Sequence, residues 1–233
     1  MTDEKEMSLF EHLEELRERL IKSAVALLAT TMFSLLFSTQ LIRIILAPAG
    51  NVRPVFLRPT EGVLTYFRVA LLAGVALALP AITYQIARFV LPGLRPNEKR
   101  FLMLLLPGAV VSFVAGAAFA YFVMLPPSLR FLLSFGSEIA EATWAIGEYI
   151  TFVTNLMFWT GVIFEAPLLA FFLAKLGIIT SEMLSSNRKY ALLVSAIVAA
   201  VITPTPDPFN MMLVMAPLIV LFEVSVWVTR LAK

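Results

Sequence analysis

Long stretches of this chain carry no charge at all, and that restricts its fold more than any other feature. Residues 23–42, 69–87 and 101–129 contain no Asp, Glu, Lys or Arg, and residues 149–174 contain only Glu165. Each is long enough for a helix across a hydrocarbon core, which takes roughly 20 residues. Lipid offers no hydrogen bonds to backbone groups, and a helix satisfies its own. Composition agrees: hydrophobic residues make up 60% and charged residues 15%, against roughly 45–50% and 25% in soluble domains. So few polar residues cannot coat a soluble surface. The reading is an all-α polytopic membrane protein, one integral-membrane domain over residues 1–233.

The last two apolar segments differ from the others. Tyr190 to Ile202 is 13 residues, followed by Thr203-Pro204-Thr205-Pro206-Asp207-Pro208, and Phe209 to Thr229 is 21 residues interrupted by Glu223. Thirteen residues reach only about 20 Å as a helix, and three prolines cannot continue one. Helices 5 and 6 are therefore expected to form a short hairpin whose turn faces protein or water. Six spans follow, at about 22–46, 64–90, 101–125, 150–174, 190–202 and 209–229, with an amphipathic helix over 8–22 leading into the first. An even number places both termini on one side. With the termini inside, 13 of the 18 Lys and Arg lie in inner segments; Arg43, Arg53, Arg58, Arg68 and Arg130 are the outer five. The positive-inside rule then makes both termini cytoplasmic.

Several chemistries fall away. There is no Cys, and His12 is the single His, so no disulfide, thiolate metal site, cysteine nucleophile or His-rich metal site is expected. A net charge of +2 with dispersed cations does not suit nucleic acid. No cofactor, metal or enzymatic site is expected. No internal repeat is visible. Ala70, Gly74 and Ala78, and Gly108, Ser112, Gly116 and Ala120, recur at every fourth position, a pattern that lets helix backbones approach closely.

Four constellations are candidates for function. Ser8-Leu9-Phe10-Glu11 fits a capping box, and Leu9, Leu13, Leu16 and Leu20 fall on one face of the helix it would start. Glu11, Glu14, Glu15 and Glu18, with Glu6 upstream, make this segment acidic. Lipid-binding helices are usually basic, so the acidity suits a cationic partner. The loop from Arg88 to Arg100 holds Pro92-Gly93, a turn signal, and then Glu98-Lys99-Arg100. Glu98 is either a favourable charge at a helix start or, with the N-terminal glutamates, one wall of a groove for guanidinium groups, which favour planar carboxylate contacts. Third, Glu165 and Glu223 lie inside spans, where a carboxylate costs several kcal/mol, about 2.5–3.5 even on the lenient insertion scale. Pro167 adds a kink beside Glu165. Asp207 sits in the Pro-rich turn. Last, Pro48 ends span 1 on the outer side, and Gly136 to Glu148 carries the acids Glu138, Glu141 and Glu148, read as a solvated face.

The chain resembles the TatC family, the receptor subunit of the twin-arginine protein translocase. The resemblance rests on His12-Leu13-Glu14-Glu15-Leu16-Arg17-Glu18-Arg19-Leu20 entering span 1. Phe89 and Pro92-Gly93-Leu94 before Glu98-Lys99-Arg100 support it, as do Phe164-Glu165-Ala166-Pro167 and the stretch from Thr203-Pro204 to Asp207. It implies a cytoplasmic site for the twin-arginine signal peptides of folded precursors. Glu15 and Glu98 look like the acidic contacts, with Leu16, Arg17, Arg19, Phe89 and Leu94 in support. It further implies TatA- and TatB-type single-span partners, and Glu165 looks like a contact for those helices or for the inserted signal peptide. Helices 5 and 6 are implicated in partner docking, with Glu223 and Asp207 as further polar contacts. Pro48, Pro92, Gly93, Pro167 and Pro204 take structural roles. A prokaryotic cytoplasmic (inner) membrane location, use of the proton-motive force without a nucleotide, contact with membrane lipid and a homo-oligomeric arrangement within the complex complete the expectation. In one departure, Phe209-Asn210-Met211-Met212 stands where some relatives have an amide near the start of helix 6. The competing reading is a proton-coupled small-solute transporter with Glu165 and Glu223 as a relay.

Overall fold

The computed structural model describes residues 9–50, 54–91, 96–135, 137–139, 143–203 and 207–232; at 9, 96–98, 100–102, 104 and 105 it describes the backbone alone. The described residues are helical throughout apart from loops and one isolated bridge between Val55 and Ala145. Four helical stretches are long and apolar enough to cross a membrane: Glu61–Val90, Leu106–Ser134, Ile146–Lys175 and Pro208–Leu231. A bent pair at the N-terminus makes a fifth. This is a membrane protein with several apolar helices.

The bent pair comprises α1 (Leu9–Leu35) and α2 (Ser38–Leu46). The amphipathic start and the first span are one continuous helix, and the chain turns by 78° near residues 36–37, where the sequence expectation carried a single span to 46. Neither Pro nor Gly marks that turn. It is held by Ser38, whose hydroxyl donates to the Leu35 carbonyl (2.7 Å), and by two tyrosines. Tyr121 donates to the Ile44 carbonyl (2.7 Å) and Tyr149 to the Ile45 carbonyl (2.8 Å). Both reach carbonyls in the last turn of α2, where helical partners run short; the Ile44 carbonyl also accepts from the Ala47 N–H. Pro48 lies in the short 3-10 turn Ala47–Ala49 that follows.

Next comes α3 (Glu61–Val90), lying along α1, and α4 (Pro96–Phe119), which continues through a π-helical turn at Ala120–Met124 into α5 (Leu125–Ser134). The small-residue stripes do the packing expected of them. At Gly74 an added Cβ would lie 2.8 Å from the Thr31 Cα, and Thr30 donates across to the Gly74 carbonyl (2.8 Å). At Gly116 it would lie 2.7 Å from the Thr160 carbonyl oxygen and 2.9 Å from the Gly161 Cα. Both crossings bring backbone against backbone, which only a residue without a side chain permits.

The α4 partner is α6 (Ile146–Phe164), which breaks at Glu165 before α7 (Ala166–Lys175). A short α8 (Ser181–Ser186) precedes the hairpin of α9 (Arg188–Ile202) and α10 (Pro208–Leu231). The expected shortness holds for α9, whose 15 residues span about 22 Å. It does not hold for α10: at 24 residues this helix reaches about 36 Å and can cross alone. It starts early because Asp207 caps it, accepting from the Asn210 backbone N–H (2.7 Å), and because Pro208 suits the first helical turn.

The main core sits at the end of the molecule opposite the N-terminus. There Ile42 and Ile45 of α2 meet Met124, Leu125 and Leu129 near α5, Tyr149, Ile150 and Val153 of α6, Ala199 of α9 and Val214 of α10. Among the described residues the other end has a smaller buried cluster, Ala87 with Val90, Leu91, Leu106, Phe172 and Leu176. That end carries Glu15 and the other acids at the start of α1.

Candidate functional site

At that end the first turns of α1 meet the last turns of α3. Glu15 and Arg19 are one helical turn apart and pair, with Arg19 Nη2 donating to Glu15 Oε1 at 3.1 Å. Arg19 Nη1 also donates to Gln85 Oε1 of α3 (3.2 Å), which fixes the guanidinium between the helices. Both side chains are mostly covered: Glu15 is 14% exposed and Arg19 21%. The other carboxylate oxygen, Glu15 Oε2, is buried with no hydrogen-bond partner among the described residues, and so is Arg19 Nε. Next to this pair the His12 ring stacks on Phe89, with centroids 4.4 Å apart and planes 19° apart. Two ring faces thus hold the start of α1 against the end of α3 beside a carboxylate with an unused acceptor.

The rest of the acidic segment is different. Glu14, Arg17 and Glu18 are exposed. Lys22 donates to Glu18 (2.6 Å), and that ammonium holds the Glu18 carboxyl below the usual carboxylate range. The leucine face also turns outward, with Leu13 and Leu20 each 61% exposed, while Leu16 is half-buried beside Glu15. Of the expected peptide contacts, the structure therefore brings together Glu15, Leu16, Arg19 and Phe89, and leaves Arg17 on the outside. Glu98 falls in the first turn of α4 by its backbone, but its side chain lies outside the described residues, as do Leu94, Pro92, Gly93 and Ser8 of the expected capping box. Gln85 and His12 were not among the expected site residues. Their signal, a partner 66 residues away for Arg19 and a ring opposite Phe89, depends on the register of α1 against α3.

The intramembrane acid lies at the α6–α7 break. Glu165 caps α6 with its backbone N–H to Val162 (3.1 Å) and accepts from Leu169 N (2.9 Å). Pro167 sits in the first turn of α7, where its missing donor does no harm. The side chain is half-buried, and Oε1 is fully buried with no partner among the described residues. Nearby, Phe164 packs on Phe119 (centroids 5.5 Å) next to the Gly116–Gly161 crossing.

Glu223 is not comparable. Arg188, the first residue of α9, grips both of its oxygens, Nε to Oε1 at 2.6 Å and Nη2 to Oε2 at 2.9 Å, and both side chains are about half exposed. The bidentate fork ties α9 to α10 near the ends that face away from the main core. Asp207 acts as the cap described above, and Asn210 behind it is 1% exposed, its amide donating to Asp207 Oδ2 (2.9 Å). Pro204 lies outside the described residues. Among the described residues no group of His, Asp and Glu is arranged to hold a metal ion.

The family model for Sec-independent protein translocase protein (TatC) matches residues 11–217. The chain is 41% identical over 233 residues to the Sec-independent protein translocase protein TatC of Carboxydothermus hydrogenoformans, covering 99% of this chain and 96% of that one. It is 36% identical to the protein of the same name from a Synechocystis strain, covering 98% and 90%. Among solved structures it is similar to the crystal structure of the twin-arginine translocase receptor TatC. The TM-score is 0.85 at 37% identity, over 95% of this chain and 99% of that one. The same receptor in the detergent DDM gives a TM-score of 0.86.

Proposed function

Because the chain belongs to the TatC family of Sec-independent protein translocase proteins, we propose that the end carrying Glu15 reads the paired arginines of a signal peptide. The observation that carries this reading is Glu15. Its carboxylate is oriented through Oε1 by Arg19, itself fixed by Gln85, and its buried Oε2 has no partner among the described residues. A buried acceptor left unmade costs about 1–3 kcal/mol, and a guanidinium N–H would remove that cost. Two arginines need a second acid, and Glu98, opening α4 beside the end of α3, supplies it. Leu16, Phe89 and Leu94 provide the apolar margin, and Arg17 acts from the rim.

Glu165 serves a second step. Its buried oxygen offers a strong polar handle for another helix, either the inserted signal peptide or a TatA- or TatB-type single-span subunit. The docking sequence proceeds at the cytoplasmic face of a prokaryotic inner membrane, with six spans, both termini inside, and export drawing on the proton-motive force. A relay of Glu165 and Glu223, as a proton-coupled transporter requires, gains no support, because Glu223 is occupied by Arg188.

A photocrosslinker at Phe89, with one at the lipid-exposed Phe122 as control, tests the receptor reading. A precursor with paired arginines should form adducts at Phe89 only, competed by excess twin-arginine peptide and not by its Lys-Lys counterpart. Equal adducts at both positions, or competition by both peptides, would overturn it.

A further inference from the structure

A cavity of about 810 Å³ lies at the opposite end from Glu15, between the start of α3, the start of α6 and the end of α5. Its wall is built rather than incidental. The Val55 N–H donates to the Trp144 carbonyl (2.8 Å) and the Ile146 N–H to the Val55 carbonyl (2.9 Å), which pins the loop before α3 to the start of α6. Four charges line the space: Arg58, Arg68, Glu61 and Glu148. Arg68 is aimed by the Gly147 carbonyl (Nη1, 3.2 Å) and the Thr151 hydroxyl, and Glu61 accepts from the Leu57 backbone N–H (3.1 Å). None of the four forms an ion pair with another among the described residues. The α3 and α6 N-termini both reach this cavity, their first N–H groups donating to the Arg58 carbonyl (3.1 Å) and the Val55 carbonyl.

Two cations and two acids around one cavity suit a ligand with a phosphate and an ammonium. Guanidinium groups bind phosphate oxygens, and a carboxylate attracts the ammonium. The cavity lies where the membrane-crossing helices α3 and α6 begin. Trp144 lines it, a residue type common at headgroup level, and Leu57 and Leu64 at its edge are 69% and 49% exposed. Free phosphate would not need that apolar edge; an acyl chain would.

We propose that this cavity binds the headgroup of a zwitterionic phospholipid, its phosphate on Arg58 and Arg68 and its ammonium toward Glu148, in the leaflet away from the N-terminus. The site is independent of peptide recognition at Glu15.

Native mass spectrometry of the full chain released from detergent tests it. The probes are phosphatidylethanolamine, phosphatidylglycerol, diacylglycerol with the same acyl chains, and inorganic phosphate. The wild-type protein should retain one phosphatidylethanolamine at least about tenfold better than diacylglycerol, a difference of about 1.4 kcal/mol. Arg58→Gln with Arg68→Gln should lower retention by about the same factor. Arg58→Gln alone, at an exposed side chain with no ion pair among the described residues, should lower it several-fold without disturbing the fold. Glu148→Gln should narrow the preference for phosphatidylethanolamine over phosphatidylglycerol. Equal retention of diacylglycerol, wild-type retention by Arg58→Gln, or an unchanged preference in Glu148→Gln would overturn the assignment. So would inorganic phosphate binding without retained lipid.

Discussion

Glu15 and Glu165 are the same side chain in two settings, and the contrast between them is what assigns one to recognition and the other to assembly in the proposed function. Each has one carboxylate oxygen buried without a hydrogen-bond partner among the described residues. Glu15 sits at the rim of the bundle, paired with Arg19 and beside the His12–Phe89 stack. Glu165 sits at a helix break within an apolar stretch, with no ion pair among the described residues. On the proposed reading, the first selects a cation with the acceptor that Arg19 leaves unused. The second is a polar atom in a place where lipid offers it nothing, so another helix that brings a donor is favoured. A partly satisfied acid can therefore be a receptor or a docking point, according to the charge and depth around it.

The largest expected effect that sharpens this contrast is at Glu15. Glu15→Ala should weaken binding of a twin-arginine peptide about 30- to 5,000-fold, since truncating one partner of a buried charge pair costs about 2–5 kcal/mol; calorimetry in nanodiscs measures it. Glu165→Ala should leave that affinity intact and reduce co-purification of single-span partners, whereas Glu165→Gln, which keeps an acceptor, should retain more of it.

The helix crossings behind the two acids allow a second test. Gly74→Val drives a side chain into the Thr31 backbone, and Gly116→Val into Thr160 and Gly161. Each should destabilise by about 1–3 kcal/mol, visible as a lower thermal midpoint in detergent. Peptide affinity should suffer more from the Gly74 change and partner recruitment more from the Gly116 change. The smallest effect is at His12. His12→Ala removes a ring stack worth about 0.5–1.5 kcal/mol and should lower peptide affinity by two- to tenfold while sparing partner binding.

Much of this was legible in the chain because bilayer physics reduces the possibilities. Charge-free runs gave the long helices, the small-residue stripes gave two crossings, and Glu165 followed by Pro167 marked the α6–α7 break. The unread parts depend on contacts between distant residues. The 78° bend after Leu35 has no local breaker and is held by Tyr121 and Tyr149 from later helices. Gln85 joins the Glu15 pair only because α1 lies along α3 in one register. Glu223 read as a lone acid until Arg188, 35 residues earlier, came to face it. Only one wall of the cavity beside Arg68, Thr143 to Glu148, falls in the stretch that read as a solvated face, and the Val55–Ala145 bridge joins it to the loop before α3.

The most direct test is the affinity of one twin-arginine signal peptide for the wild-type protein, Glu15→Gln and Glu165→Gln, each alone in nanodiscs without partner subunits. Binding should fall at least about tenfold in Glu15→Gln, the effect of about 1.4 kcal/mol or more, and stay within about twofold of wild type in Glu165→Gln. Loss of affinity in Glu165→Gln with Glu15→Gln unchanged would reverse the two roles and contradict the account.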